Sequence, residues 1–204
     1  MAWLKSPWVR AAGLAIAAAV ATVCWSEVQQ ARAASDEKLT LAGVQNFGRL
    51  NAHFYRGAQP EISAYPSLKA YGIDTVVRLS TGEEFIEGER EHVEALHMRF
   101  VSLPWRAADT PTNEQVAAFL EIARDHPQWT VFVHCREGVD RTGVMVALYR
   151  IALEHWTIDR AVAEMRAFRY HFIFHPHLQR YVEAFPARMA SDPVLRGMST
   201  PTPN

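Results

Sequence analysis

The stretch HCREGVDRTG, His134 to Gly143, decides the reading of this chain. It follows WTVFVHC, a short β-branched run too apolar for an exposed edge and therefore expected as a buried central strand. It leads into RTGVMVALYRIALEH, which is expected as a helix. The loop between them turns over Gly138, and successive backbone N–H groups in such a turn form a concave nest. The helix N-terminus adds orphan donors and the positive end of its dipole. A loop of this kind is suited to a tetrahedral dianion, and Arg141 can grip two of its oxygens with a planar fork that lysine lacks. Cysteines beside arginine at a helix N-terminus carry activated thiols. Cys135 is thus the expected nucleophile toward a phosphorus held by Arg136, Glu137, Gly138, Val139, Asp140, Arg141 and Thr142. The Thr142 hydroxyl is placed to stabilise the departing thiolate in a second step.

Outward from this stretch, strands and helices alternate. Upstream come the strand in NAHFYRGAQP, a short helix in SAYPSLKAYG, the strand IDTVVRLS, a helix in GEEFIEGEREHVEALHM and the strand MRFVSLPW. TPTNEQVAAFLEIARDHP is the strongest helix, with Thr112 as cap and Gln115 three residues on. Downstream, TIDRAVAEMRAFR is a helix capped by Thr157, and a last helix is expected over 177–189, opened by Pro176. The pattern predicts an α/β domain, a central mostly parallel sheet with helices on both faces. Its ligand site is expected at the carboxyl end of the central strand, where Cys135 falls.

HCREGVDRTG resembles the signature of the cysteine-dependent protein tyrosine and dual-specificity phosphatase superfamily, matched at His134, Cys135, Gly138, Arg141, Thr142 and Gly143. FYRGAQP and VVRLSTGEE resemble upstream segments of compact bacterial and plant-type atypical dual-specificity phosphatases, so the likeness runs from Phe54 to Phe185. The resemblance implies a two-step phosphomonoester hydrolysis through a cysteinyl-phosphate, without metal or cofactor. It also implies an Asp on the loop before the helix leading to the signature strand, a place matched by Asp109. Asp140 is the rival for general acid.

Other residues carry plainer readings. Arg56 is expected as a structural residue pairing with a carboxylate beneath the site. The Glu83, Glu84, Glu87 and Glu89 run reads as a solvated helix face. His171, His175 and His177 read as packing residues, because no carboxylate stands near them in sequence. The acids Glu137 and Asp140 offset Arg136 within the loop and favour a single-phosphate monoester. The expected substrate is a phosphorylated protein or small phosphoester. A phosphoinositide or inositol phosphate phosphatase with the same chemistry is the alternative, as is a non-catalytic phosphate-binding module.

Before the domain, MAWLKSPWVR carries Lys5 and Arg10, and an uncharged run from Ala11 to Trp25 precedes the small-residue site at Ala31 and Ala33. Residues 1–33 therefore read as a secretory signal or an N-terminal membrane anchor, implying an exported or membrane-associated protein. A polar lead-in (34–50), the phosphatase domain (51–190) and a flexible tail (191–204) complete the expected organisation. Without 1–33, which remove Lys5, Arg10, Arg32 and Glu27, 18 basic residues stand against 21 acidic ones. That balance gives no sequence-blind grip on nucleic acid. Cys135 is then the only cysteine, so no internal disulfide can form.

Overall fold

Strands and helices alternate from Phe54 to Leu153, with one further strand before this stretch and three helices after it. The computed structural model describes residues 38–198, the side chains of 83–86 excepted. The expected signal or anchor segment lies outside the described residues. The strands are β1 (Gly48–Asn51), β2 (Phe54–Ala58), β3 (Thr75–Arg78), β4 (Arg99–Ser102) and β5 (Val131–Cys135). A 3-10 turn (Ile62–Ala64) leads into α1 (Tyr65–Ala70), followed by α2 (Glu83–Ala95), α3 (Asn113–Asp125) and α4 (Asp140–Leu153). The chain continues with α5 (Ile158–Ala167), α6 (Pro176–Glu183) and α7 (Phe185–Ser191).

The sheet runs β1-β2-β5-β3-β4, with only β1 antiparallel to its neighbour. β5 is central: Cys135 lies opposite Ala58 on β2, and His134 opposite Arg78 on β3. A strand hydrogen-bonded on both sides and covered on both faces must be apolar throughout, and all five β5 residues are buried. The pleat sends Val131, Val133 and Cys135 into a core shared with Phe119 and Leu120 of α3, Met145 and Leu148 of α4, and Phe185 of α7. Phe132 faces the opposite way, toward Tyr65 and Leu68 of α1 and Val93 of α2. Helices therefore cover both faces, as the alternation predicts.

The capping signals act locally. The Thr112 hydroxyl accepts from the Gln115 amide, and the Gln115 side chain accepts from the Thr112 amide, which closes a capping box at the start of α3. Thr157 accepts from the Arg160 amide at α5.

Three expectations are corrected here. The lead-in belongs to the domain from Lys38 on: β1 pairs with β2, and Val44, Phe47 and Leu50 are buried. Phe47 stacks on Tyr55 at 5.8 Å between centroids, so aromatic packing, not polarity, governs this segment. The last helix is two, α6 and α7, meeting at Ala184. Pro186 causes the break, since it lacks the N–H that a continuous helix would need there and is tolerated in a first turn. The tail is anchored as far as Met198: Leu195 and Met198 join the core, and Arg124 reaches the Met198 sulfur at 3.4 Å.

Candidate active site

β5 ends at Cys135 and α4 begins at Asp140, so four residues carry the chain over the carboxyl end of the sheet. Cys135 is 3% exposed and sits at the base of this loop. Gly138 has φ +67°, and a Cβ there would fall 2.3 Å from the Gly57 carbonyl carbon and 2.4 Å from the Ala58 nitrogen. Backbone cannot yield as a side chain can, so only glycine fits.

Carbonyl groups pin the loop against β2. The Gly138 oxygen accepts from Asn46 Nδ2 (2.8 Å) and from Arg56 Nη2 (3.1 Å), and the Arg136 oxygen accepts from the Gln59 amide (3.3 Å). Among the described residues every peptide is trans, so a carbonyl turned one way sends the next N–H the other way. The amides of Glu137 and Val139 thus point away from β2 and Asn46, an arrangement that creates an anion nest.

Arg56 is fully buried, and its guanidinium lies 3.9 Å from the Phe168 ring centroid. It touches the site through the Gly138 carbonyl. Asn46 also donates to the Phe168 oxygen at 3.1 Å. Sequence reasoning missed this residue, because it lies in the segment read as a lead-in.

The remaining expected site residues fall in two places. Arg141 and Thr142 occupy the first turn of α4. Arg141 Nη1 donates to the Trp105 carbonyl at 3.2 Å, tying the nest to the 103–112 loop. Thr142 is fully buried, with no hydrogen-bond partner for its hydroxyl among the described residues. Arg136 and Glu137 are exposed at the rim, and Val139 is buried beside the nest. Asp109 lies on the loop that Arg141 touches but is exposed, its carboxylate 4.0 Å from Arg106 Nε. No hydrogen bond or ion pair joins it to the 135–141 segment among the described residues.

Asp140 is engaged elsewhere. Its Oδ1 accepts from the His171 amide (3.0 Å), and its Oδ2 lies 2.9 Å from His171 Nδ1 and 3.8 Å from His175 Nε2. The fold has brought to these histidines the carboxylate that their sequence neighbourhood lacks. Among the described residues no group of three such side chains is arranged to hold a metal ion.

A cleft of about 690 Å³ opens beside the loop, lined among others by Gln59, Ile62, Tyr65, Arg78, Arg136 and Arg141. Beneath it lies a buried polar network centred on Glu89. Arg78 Nη1 donates to Oε2 at 2.5 Å, Tyr65 Oη donates to Oε1 at 2.7 Å, and His134 Nε2 lies 2.8 Å from Oε1. Burial pushes the Glu89 carboxyl up, but the nearby His134, with hydrogen bonds from His134, Tyr65 and Arg78, outweighs it and holds the group at about 2. The Tyr65 hydroxyl is pushed well above its ordinary value by burial and by Glu89. Glu89 corrects the expectation of a solvated acidic face: Glu87 is exposed, while Glu89 is 6% exposed. A signal was present, since Glu89 stands four residues before the buried Val93 and hence on the same helix face.

Comparison with known proteins adds to this geometry. A family model described as "DSP-PTPase phosphatase fused to NAD+ Kinase" matches residues 19–172. The dual specificity protein phosphatase TpbA of Pseudomonas aeruginosa is 29% identical over 122 residues, covering 59% of this chain and 53% of that protein. The chain thus spans about half the length of that curated relative. Among solved structures, a Cys-to-Ser variant of P. aeruginosa TpbA in complex with phosphotyrosine superposes with a TM-score of 0.59 at 24% identity, over 74% of this chain and 97% of that one. The catalytic core of the S. cerevisiae PP-IP phosphatase SIW14 superposes with a TM-score of 0.62 at 15% identity, covering 76% and 98%.

Proposed function

This chain belongs to the DSP-PTPase phosphatase family, and from that premise we propose that it is a phosphomonoester hydrolase of the protein tyrosine and dual-specificity type. The observation that carries the reading is the buried Cys135 thiol at the base of a loop whose carbonyls are pinned against β2 and Asn46 and whose next element is a helix N-terminus. In the proposed first step the Cys135 sulfur attacks phosphorus, an S–P bond forms and the P–O bond to the leaving group breaks. Asp109 gives its proton to the departing oxygen. Water then attacks the cysteinyl-phosphate, loses its proton to the Asp109 carboxylate, and releases inorganic phosphate and the thiolate. Arg141 and the nest amides balance the charge on the equatorial oxygens.

Asp109 is preferred to Asp140 because both carboxylate oxygens of Asp140 already face His171. The loop of Asp109 touches Arg141 through Trp105, and the exposed Asp109 carboxylate has no partner within 3.5 Å among the described residues, which supports its assignment as the proton donor. Phosphotyrosine is bound by a Cys-to-Ser form of TpbA, and a phosphorylated protein side chain is the substrate class proposed for this chain. Export or membrane anchoring through residues 1–33 is proposed on their sequence pattern alone. The test is hydrolysis of para-nitrophenyl phosphate in EDTA by the full chain beside Cys135→Ser. Turnover by the first and none by the second is expected; equal turnover by both overturns the reading.

A further inference from the structure

Three of the six large apolar side chains exposed among the described residues are consecutive: Phe172 (52%), Ile173 (72%) and Phe174 (77%). They form a single turn between α5 and α6. The turn is not a loose excursion. Its first residue, His171, fastens by backbone and ring to Asp140 at the start of α4, and its last, His175, accepts from the Tyr170 hydroxyl through its carbonyl. The Phe174 and His175 amides close back onto the His171 carbonyl at 3.0 and 2.9 Å. A rigid base thus holds three apolar side chains out into solvent beside the phosphate-binding loop, where leaving them exposed forgoes the stabilisation that burial gives.

Three arginines stand around the turn. Arg166, Arg169 and Arg180 are exposed, and none lies within ion-pair distance of a carboxylate among the described residues. The Arg166 guanidinium lies 5.8 Å from the Phe172 ring centroid, so cation and apolar tip share one surface. Asp140, the carboxylate nearest the turn, is already engaged by His171 and His175. Asp159 and Glu183 share a groove with Arg166 between α5 and α6, and Glu183 is close enough to Tyr170 to act on its hydroxyl, so acidic groups accompany the arginines on that side.

We propose that the 170–175 turn is an interfacial docking element that seats the mouth of the site on an anionic lipid bilayer. Aromatic and branched side chains on a protruding turn enter the headgroup–acyl boundary, and a collar of arginines meets the anionic headgroups. The shape favours a bilayer over a folded protein partner: the three side chains project from a convex turn, and a soft apolar phase accepts such a projection without a matching pocket. The proposal stands apart from the expected N-terminal anchor and from the chemistry at Cys135.

The test is hydrogen exchange, read by mass spectrometry on peptides covering 169–175, for the full chain with vesicles of phosphatidylcholine alone or mixed with phosphatidylglycerol. Slower exchange in this segment with the mixed vesicles, and little change with phosphatidylcholine alone, is expected. The protection should disappear in Phe172→Ser/Ile173→Ser/Phe174→Ser and weaken by about fivefold in apparent affinity per arginine in Arg166→Gln and Arg169→Gln at low salt. Turnover of a soluble aryl phosphate should be unchanged in all three variants, which verifies that they fold. Unprotected 169–175 peptides overturn the proposal, even where the chain binds vesicles through residues 1–33. Equal protection by both lipid mixtures overturns the anionic requirement.

Discussion

Two loops meet at Arg141, and they are built in opposite ways. The 136–139 loop is fixed from behind by Asn46, Arg56 and Gln59, packs so closely on Gly57 and Ala58 that no Cβ fits at Gly138, and runs straight into a helix. The 103–112 loop touches it through the Trp105 carbonyl on Arg141, yet presents Asp109 to solvent, with Arg106 its one ion-pair partner among the described residues. The difference follows from what each must do. Oriented dipoles stabilise a dianion only when they do not have to reorganise, so the phosphate cradle is over-determined. A proton donor must meet leaving groups of different shape, so Asp109 faces solvent while its loop is held at both ends. Leu103 and Trp105 donate to the Arg78 and Leu79 carbonyls, and the Pro111 carbonyl accepts from Tyr181.

The sharpest way to break this comparison is Gly138→Ala. The methyl collides with β2 backbone, and both turnover and oxyanion binding should fall below detection, measured by aryl phosphate hydrolysis and by vanadate inhibition. A variant with ordinary kinetics would show that the loop is not over-determined. Asp109→Ala probes the second loop: about 10²-fold slower hydrolysis is expected with alkyl phosphates, whose leaving oxygen needs the proton, and a much smaller loss with para-nitrophenyl phosphate. A uniform slight effect on both substrates would return the role to Asp140.

Smaller effects report on the supports. Glu89 has a folded value of about 2, below its ordinary one, so its ionised form is the stabilising one. That contribution is complete above the ordinary carboxylate range and is lost as pH falls toward 2. Thermal melting of wild type and Glu89→Gln should therefore differ most near neutrality and converge on acidification; a gap that widens in acid would contradict the assignment. Thr112→Ala, which removes the cap at the end of the Asp109 loop, should cost only about 1 kcal/mol of stability by denaturant unfolding.

Much of this was legible in the residues, for identifiable reasons. The apolar run 131–135, with its abrupt switch to HCREGVDRTG, could only be a doubly covered strand feeding a helix, and Thr112 with Gln115 announced α3. What stayed hidden depends on contacts between distant segments. Nothing near Asn46 says that its side chain will meet Gly138, 92 residues on. Asp140 and the 171–177 histidines are ordinary apart, and only the α4–α5 packing brings them together. Glu89 was read with its acidic neighbours, although its four-residue spacing to Val93 pointed inward. The two final helices were readable in principle, since Pro186 stands where a continuous helix would need a donor.

The central claim is that the Cys135 sulfur bonds to phosphorus during turnover. The direct measurement is acid quench of the enzyme in the presence of an aryl phosphate, followed by peptide mass spectrometry for a phosphoryl adduct. The account predicts the adduct on the peptide containing Cys135, disappearing as substrate is exhausted. Turnover with the phosphoryl group found on His134 or on no residue at all would contradict it.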